Sequence, residues 1–301
     1  MSEPLRKSGI VAVVGRANVG KSTLVNRVIG EKVSIVAPLA QTTRNCIRGI
    51  LSEERGQLVL LDTPGVHRSK SRLGSMMNRM ARGTTDGVDA AVLVFDASVR
   101  PRDEDDGWMR RLAHAGYPCI FALNKIDLGG DLADMYHERW ISICEEKHLS
   151  RQVSWMPVSA RQGDGIDKLT GALFSFLPVG EPLFPEEIVS DYPLKLTLAD
   201  AIRERLVVGL RDEVPHAVAV WVDEVDRGGE AWAIDATVYV EKSSQKGIVI
   251  GKKGRNLKRV ERESADAIGE LYDCTADVKL WVKVEKKWQE NFWLLRKLGY
   301  A

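Results

Sequence analysis

The chain has 301 residues, enough for about two domains, with 44% hydrophobic and 28% charged residues, an ordinary globular mix. A net charge of +1 excludes a polyelectrolyte, so any surface for a polyanion must come from local clustering. Four cysteines lie far apart without a CxxC pair, which argues against a disulfide framework and for buried thiols in a reducing cytosol. The opening "MSEPLRKSG" is polar, giving no sign of a signal peptide, and no apolar run approaches the roughly 18 residues of a membrane span.

From Ile10 to about Leu177, short apolar runs alternate with helical stretches. "IVAVVG" (Ile10–Gly15), "LVLLD" (Leu58–Asp62), "AAVLVFD" (Ala90–Asp96), "CIFALN" (Cys119–Asn124) and "VSWMPVS" (Val153–Ser159) read as buried parallel strands. "DEDDGWMRRLAHAG" places acids first and bases last, as a helix dipole favours; its acids, Asp103 to Asp106, are read as a solvated helix start. This alternation predicts a doubly wound, mostly parallel α/β sheet with ligands at the carboxyl ends of its strands. Pro178 to Pro193 holds four of the chain's 11 prolines and reads as an extended linker. A smaller α+β unit follows. A helix over about 194–211 leads into strands "HAVAVWVDEV" and "AWAIDATVYVEK", joined by a "DRGGE" turn. A glycine–lysine loop, a charged helix to about Leu271, the strand "ADVKLWVKVE" and a last helix complete it. In that tail, Trp288, Phe292 and Leu295 stand at helical spacing, which predicts packing on the sheet in preference to a membrane-surface helix.

"GRANVGKS", Gly15 to Ser22, follows a strand and opens a helix, "KSTLVNRVIG", which fits G-x-x-x-x-G-K-[ST]. Backbone amides of Gly15, Arg16, Ala17, Asn18, Val19 and Gly20 and the start of the helix, through Thr23, can hold phosphate oxygens. Lys21 is expected at the β and γ phosphates and Ser22 on Mg²⁺. "DTPG", Asp62-Thr63-Pro64-Gly65, supplies a carboxylate for the Mg²⁺ shell and the Gly65 amide for the γ-phosphate. In "QTTR", Gln41 to Arg44, Thr43 is the candidate to complete that shell. "NKID" offers Asn124, Lys125 and Asp127, and the Asp127 carboxylate can accept from N1–H and the 2-amino group of guanine. Adenine has neither donor there, so discrimination of about 10⁴-fold is expected. Ser159–Ala160 ends the next strand and can present an amide to the guanine O6.

Five motifs in this order resemble the translation-factor-related GTPases, which implies a P-loop GTPase domain that binds Mg²⁺·GTP and releases GDP and phosphate. After "DTPG", signalling GTPases carry a glutamine that orients water; Val66 stands here and cannot hydrogen-bond. The chain is therefore similar to GTPases with a hydrophobic residue at that point. Several of them use a phosphate-loop asparagine, matched by Asn18, to help bind K⁺. The resemblance thus gives Lys21, Thr43, Gly65 and Asn18 catalytic roles, with slow intrinsic turnover stimulated by potassium.

The second loop, "GIVIGKKGRNLK" (Gly247–Lys258), departs from a Walker loop. Its glycines are too close, and Lys253 precedes Gly254 in place of Ser or Thr. "VIGKKGRNL" (Val249–Leu257) resembles the KH signature, a G-x-x-G turn between two helices that clamps about four nucleotides of single-stranded RNA or DNA. From Lys242 to Arg259 there are seven basic residues and no acid. The RNA contacts implied are Lys246, Val249, Ile250, Gly251, Lys252, Lys253, Gly254, Arg255 and Lys258, with apolar Ile248, Val249, Ile250 and Leu257 either lining the base groove or packing beneath it. The element order matches a type II KH domain.

A GTPase domain (1–177), a linker (178–193) and a type II KH domain (194–301) together resemble the Era family across nearly the whole chain. That resemblance implies a monomeric cytosolic GTPase that binds 16S ribosomal RNA near its 3′ end, acts in 30S subunit assembly and can associate peripherally with the inner membrane. Independently of it, a γ-phosphate is expected to order the loops around Thr43 and Gly65 and so to couple GTP to RNA affinity. Two alternatives stand beside it: an RNA-binding module with a static nucleotide site, and a relative of the double-GTPase family that acts on the large subunit.

Overall fold

The computed structural model describes residues 5–36, 43–66, 71–129 and 132–300. The chain forms two compact units, the first built mainly from residues up to Asp191 and the second mainly from Tyr192 onward.

The first unit runs β1 (Lys7–Val14), α1 (Lys21–Ile29), β2 (Ile47–Glu53), β3 (Gly56–Asp62), α2 (Arg72–Gly83), β4 (Ala90–Asp96), α3 (Asp103–Ala113), β5 (Cys119–Asn124), α4 (Ala133–Glu146), β6 (Ser154–Val158) and α5 (Ile166–Phe176). Its six-stranded sheet has the order β2-β3-β1-β4-β5-β6, parallel except for β2. Strand alternation sends Val11 and Val13 to one face, where they meet Leu24, Val25, Leu169 and Leu173 of α1 and α5. Ala12 and Val14 go to the other, with Trp108 and Met109 of α3 and Tyr136 and Trp140 of α4. Both faces are therefore covered, which is why β4 is buried at every residue and reads as a continuous apolar run. The strand order reverses at β1, so the crevice for a ligand lies at that strand's carboxyl end.

Strand β2 was not foreseen. It is an antiparallel edge strand, and Arg48, Gly49 and Ser52 interrupt its apolar run. Its hairpin partner begins at Gly56 (φ +136°), where a Cβ would fall 1.8 Å from the Lys7 carbonyl oxygen. The proline-rich stretch is extended, but it is tied to this unit. Val179 bridges Lys7, and Gln57 Oε1 accepts the amides of Leu183 and Phe184. Ile50 of β2 donates its outward N–H to Val189 O at 2.9 Å. Arg48 pairs with Asp191.

The second unit runs α6 (Leu194–Val208), β7 (Ala219–Asp226), β8 (Trp232–Val240), α7 (Ser243–Ile250), α8 (Arg255–Tyr272), β9 (Ala276–Val284) and α9 (Phe292–Lys297). β7 pairs antiparallel with β8, and β8 pairs parallel with β9. Leu198, Ile202 and Leu206 of α6 and Val260 and Ile268 of α8 pack on Val220, Ile234, Val238 and Val278 of the sheet.

The tail differs from the single helix expected. Trp288 lies in a separate 3-10 turn, and Asn291 caps α9 by accepting the Leu294 N–H. The helix is interrupted here, and Lys287, just before the turn, takes a left-handed φ of 54°. Trp288 and Leu295 are nonetheless fully buried, whereas Phe292, expected beside them, is exposed, and the Trp288 indole donates to Ala217 O at 2.8 Å. No described helix is long and apolar enough to cross a membrane. All four cysteines are free thiols, with Cys119 buried and the other three partly so. Burial pushes the Cys46 thiol up to about 11.

Candidate nucleotide site and nucleic-acid interface

The phosphate loop leaves β1 at Gly15, whose φ of +147° and close approach to Val94 O, 2.5 Å from a would-be Cβ, leave no room for a side chain. At Gly20 a Cβ would fall 2.4 Å from Asn124 Nδ2, and φ is +97°. Gly20 caps α1 without a side chain, so no capping oxygen occupies the first-turn amides. Val19 is buried and anchors the loop. Lys21 is nearly buried, and its ammonium donates to the carbonyls of Gly15 (3.2 Å) and Arg16 (2.8 Å). Burial lowers its pKa to about 8, against the opposing pull of Asp62.

The three residues expected on Mg²⁺ meet. Ser22 Oγ and Thr43 Oγ1 share a hydrogen bond of 2.7 Å, and Thr43 donates to Asp62 Oδ2 at 3.5 Å. Asp62 is completely buried, and its Oδ1 has no hydrogen-bond partner. Burial raises its pKa, against the opposing pull of the nearby Ser22 hydroxyl and of the Lys21 charge. Two hydroxyls and a carboxylate with an unused oxygen form a hard-oxygen donor set that fits Mg²⁺. Gln41 and Thr42 lie outside the described residues. Thr63 donates to Val13 O, which fixes the start of the "DTPG" loop. Gly65 lies so close to Ala17 that a Cβ would fall 2.5 Å from its Cα. Val66 pairs with Arg16 as a parallel bridge, which joins the two loops directly.

Across the crevice, Asn124 works as a strut. Its Nδ2 donates to Val19 O (2.8 Å), and its Oδ1 accepts the Ala160 N–H (2.9 Å). Within the Ser159–Ala160 pair expected at the guanine O6, the Ala160 amide thus donates to Asn124. Asp127 is exposed, and Ser159 Oγ holds its Oδ1 at 2.7 Å. Lys125 adopts φ 70° and donates to Asn18 O (2.8 Å) and to Asp96 Oδ2 (2.6 Å). Burial pushes the Asp96 pKa up, but hydrogen bonds from Lys125 and Ser98 hold it below the usual carboxylate range. Asp96 went unnoticed in the sequence, although it closes the strand "AAVLVFD" at the functional edge of the sheet. The acidic cluster also differs from expectation: Asp105 is fully buried against Arg16, and only its neighbours face solvent. Asn18 has φ 64°, a left-handed conformation that asparagine tolerates well, and is exposed.

In the second unit, α7 ends at Gly251 (φ 72°), Lys253 is left-handed (φ 54°), and α8 starts after Gly254 (φ 73°). A Cβ on Gly251 would fall 2.8 Å from that of Asn256, whose Nδ2 ties the turn to Val249 O at 2.9 Å. Lys252, Lys253, Arg255 and Lys258 are exposed, and Lys246, Ile250 and Gly254 are partly so. Of the two roles open to Val249, the structure selects the second: its side chain is wholly buried in the core under the turn, so it is no direct RNA contact. Ile248 is the exposed apolar neighbour. Arg259 is engaged by Glu263 and Asn256.

A phosphate loop on a doubly wound sheet, followed by a helix–GKKG–helix turn on a three-stranded sheet, defines a P-loop GTPase joined to a KH domain. Residues 10–125 match the family described as 50S ribosome-binding GTPase, and residues 213–289 match the KH domain. GTPase Era of Geotalea uraniireducens is 40% identical over 301 residues, with both chains fully covered. That of Lacticaseibacillus paracasei is 40% identical over 296 residues, covering 97% of this chain and 96% of its own. A crystal structure of Era with MgGDPNP and nucleotides 1506–1542 of 16S ribosomal RNA superposes with a TM-score of 0.90 at 33% identity, over 98% of this chain and 99% of that one. A point variant of Aquifex aeolicus Era bound to GDP·AlF4⁻ gives 0.88 at 33% identity, with the same coverage. The chain belongs to the Era family of GTPases.

Proposed function

We propose that this protein binds Mg²⁺·GTP, hydrolyses it slowly and binds the 3′ region of 16S ribosomal RNA in small-subunit assembly. One observation carries the reading: the near-complete likeness to an Era chain that holds both MgGDPNP and that RNA. The family description of the first domain favours a large-subunit role, but the match to Era extends through the KH domain and so favours the small subunit.

In this reading Lys21 exchanges the carbonyls of Gly15 and Arg16 for the β and γ phosphates. Ser22, Thr43 and Asp62 hold Mg²⁺, which neutralises charge developing between those phosphates. Gly65 offers its amide to the γ-phosphate. The Val66 side chain offers no hydrogen bond to water, so turnover would rest on charge stabilisation, and Asn18 would help hold a K⁺ that supplies positive charge there. Phosphate release is expected to be on the order of tenfold faster in potassium than in sodium at equal ionic strength; equal rates would remove the role given to Asn18.

The γ-phosphate and the RNA are coupled by linkage, so each tightens the other by the same factor. An RNA ending in the 16S 3′ sequence is expected to bind at least about fivefold more tightly with a non-hydrolysable GTP analogue than with GDP, and more tightly than a scrambled RNA. Identical affinities in both nucleotide states would remove the coupling. No preference over the scrambled RNA would remove the proposed target. Multiple-turnover phosphate release, measured alongside, tests hydrolysis itself.

A further inference from the structure

Arg16 follows the first glycine of the phosphate loop, yet its side chain turns into the protein. Its Nε donates to Asp105 Oδ2 at 3.1 Å, and the paired side chains are 8% and 0% exposed. The same carboxylate oxygen accepts the Arg102 N–H at 2.9 Å, at the N-terminus of α3. The pair is only half satisfied, because Arg16 Nη2 and Asp105 Oδ1 are buried without hydrogen-bond partners. A pair kept for stability would gain most from two parallel bonds. Buried ion pairs often lose as much to desolvation as they regain, so stability explains this one poorly.

Its location suggests a different task. The Arg16 carbonyl accepts the Lys21 ammonium, and the Arg16 backbone bridges Val66. The next residue, Ala17, is the one pressed against Gly65. The peptide that Arg16 anchors is therefore the meeting point of the phosphate loop, its lysine and the "DTPG" loop. A shift of about 1 Å there would misplace Lys21 and Gly65 together, and misplacement on that scale can cost about a hundredfold in rate.

We propose that the Arg16–Asp105 pair is a positioning brace, by which the start of α3 sets the phosphate loop in register with Lys21 and Gly65. The proposal rests on the nucleotide reading above and adds to it two side chains that touch no substrate.

The test uses the full chain and three proteins: wild type, Arg16→Lys, and the double variant Arg16→Met with Asp105→Leu. The double variant leaves no buried charge unpaired, so it is expected to melt within a few degrees of wild type. It is also expected to bind a fluorescent GTP analogue at least about tenfold more weakly and to release phosphate at least about tenfold more slowly at saturating GTP. Arg16→Lys keeps the charge but loses the planar fork, and at least about threefold weaker binding is expected without a fall in melting temperature. A double variant that recovers melting, affinity and turnover together overturns the brace, since a structural pair would be replaceable. Should the double variant not fold, Arg16→Lys decides, and wild-type affinity in it is the overturning result. A wild-type chain that binds guanine nucleotide but releases no phosphate would instead refute hydrolysis, and affinity alone would then judge the brace.

Discussion

Asp127→Asn is expected to weaken GTP binding by on the order of 100-fold, because the carboxylate that would accept two guanine donors is gone and the guanine 2-amino group is left facing another donor. Asp127 stands exposed at the "NKID" turn, with Ser159 Oγ holding one oxygen and fixing its direction. The asparagine amide can instead accept from N1–H and donate to a 2-oxo group, so xanthosine triphosphate should bind in its place. That exchange separates base recognition from folding. Competition of GTP and xanthosine triphosphate against a fluorescent nucleotide measures it, and unchanged GTP affinity would remove Asp127 from the base pocket.

The second large effect belongs to the turn at Gly251–Gly254. Lys252→Asp with Lys253→Asp should weaken binding of a single-stranded 16S 3′ RNA by on the order of 30-fold or more near 0.1 M salt. The slope of log affinity against log salt should flatten by about 1.4, or about 0.7 per lost phosphate contact. Both side chains are exposed, so the melting temperature should not move. Titrations at several salt concentrations give the slope directly. A parallel line at lower affinity would mean that the lysines do not face phosphates.

Much of this was legible beforehand because a parallel sheet buried on both faces writes itself as uninterrupted apolar runs. β4 and β5 begin and end where the sequence places them. β2 was missed for the converse reason: an edge strand needs only one buried face, and its arginine, glycine and serine hide the pattern. The nucleotide motifs were legible because phosphate binding demands particular residues at fixed spacing. Residues that act through another residue left weaker marks. Asp105 looks in the sequence like one more acid in a helix cap, and only the fold brings Arg16 against it. The Ala160 amide carries no sequence sign that Asn124 already occupies it. Val249 sits within a basic signature, yet one turn of helix faces two ways, and its side chain faces the core. In the tail, helical spacing held for Trp288 and Leu295 while the helix itself did not, because a left-handed residue followed by an asparagine cap restarted it.

The thread of chain that Gln57 and Ile50 hold along the outer border of the first sheet has a practical meaning. Trimming the protein at Leu177, the natural choice if the proline-rich stretch were slack, would strip the Ile50 amide of β2 and the Gln57 side chain of their partners and uncover that edge strand. Copies so shortened would have an adhesive margin ready to pair with one another, and precipitation could be mistaken for a failure of the nucleotide fold.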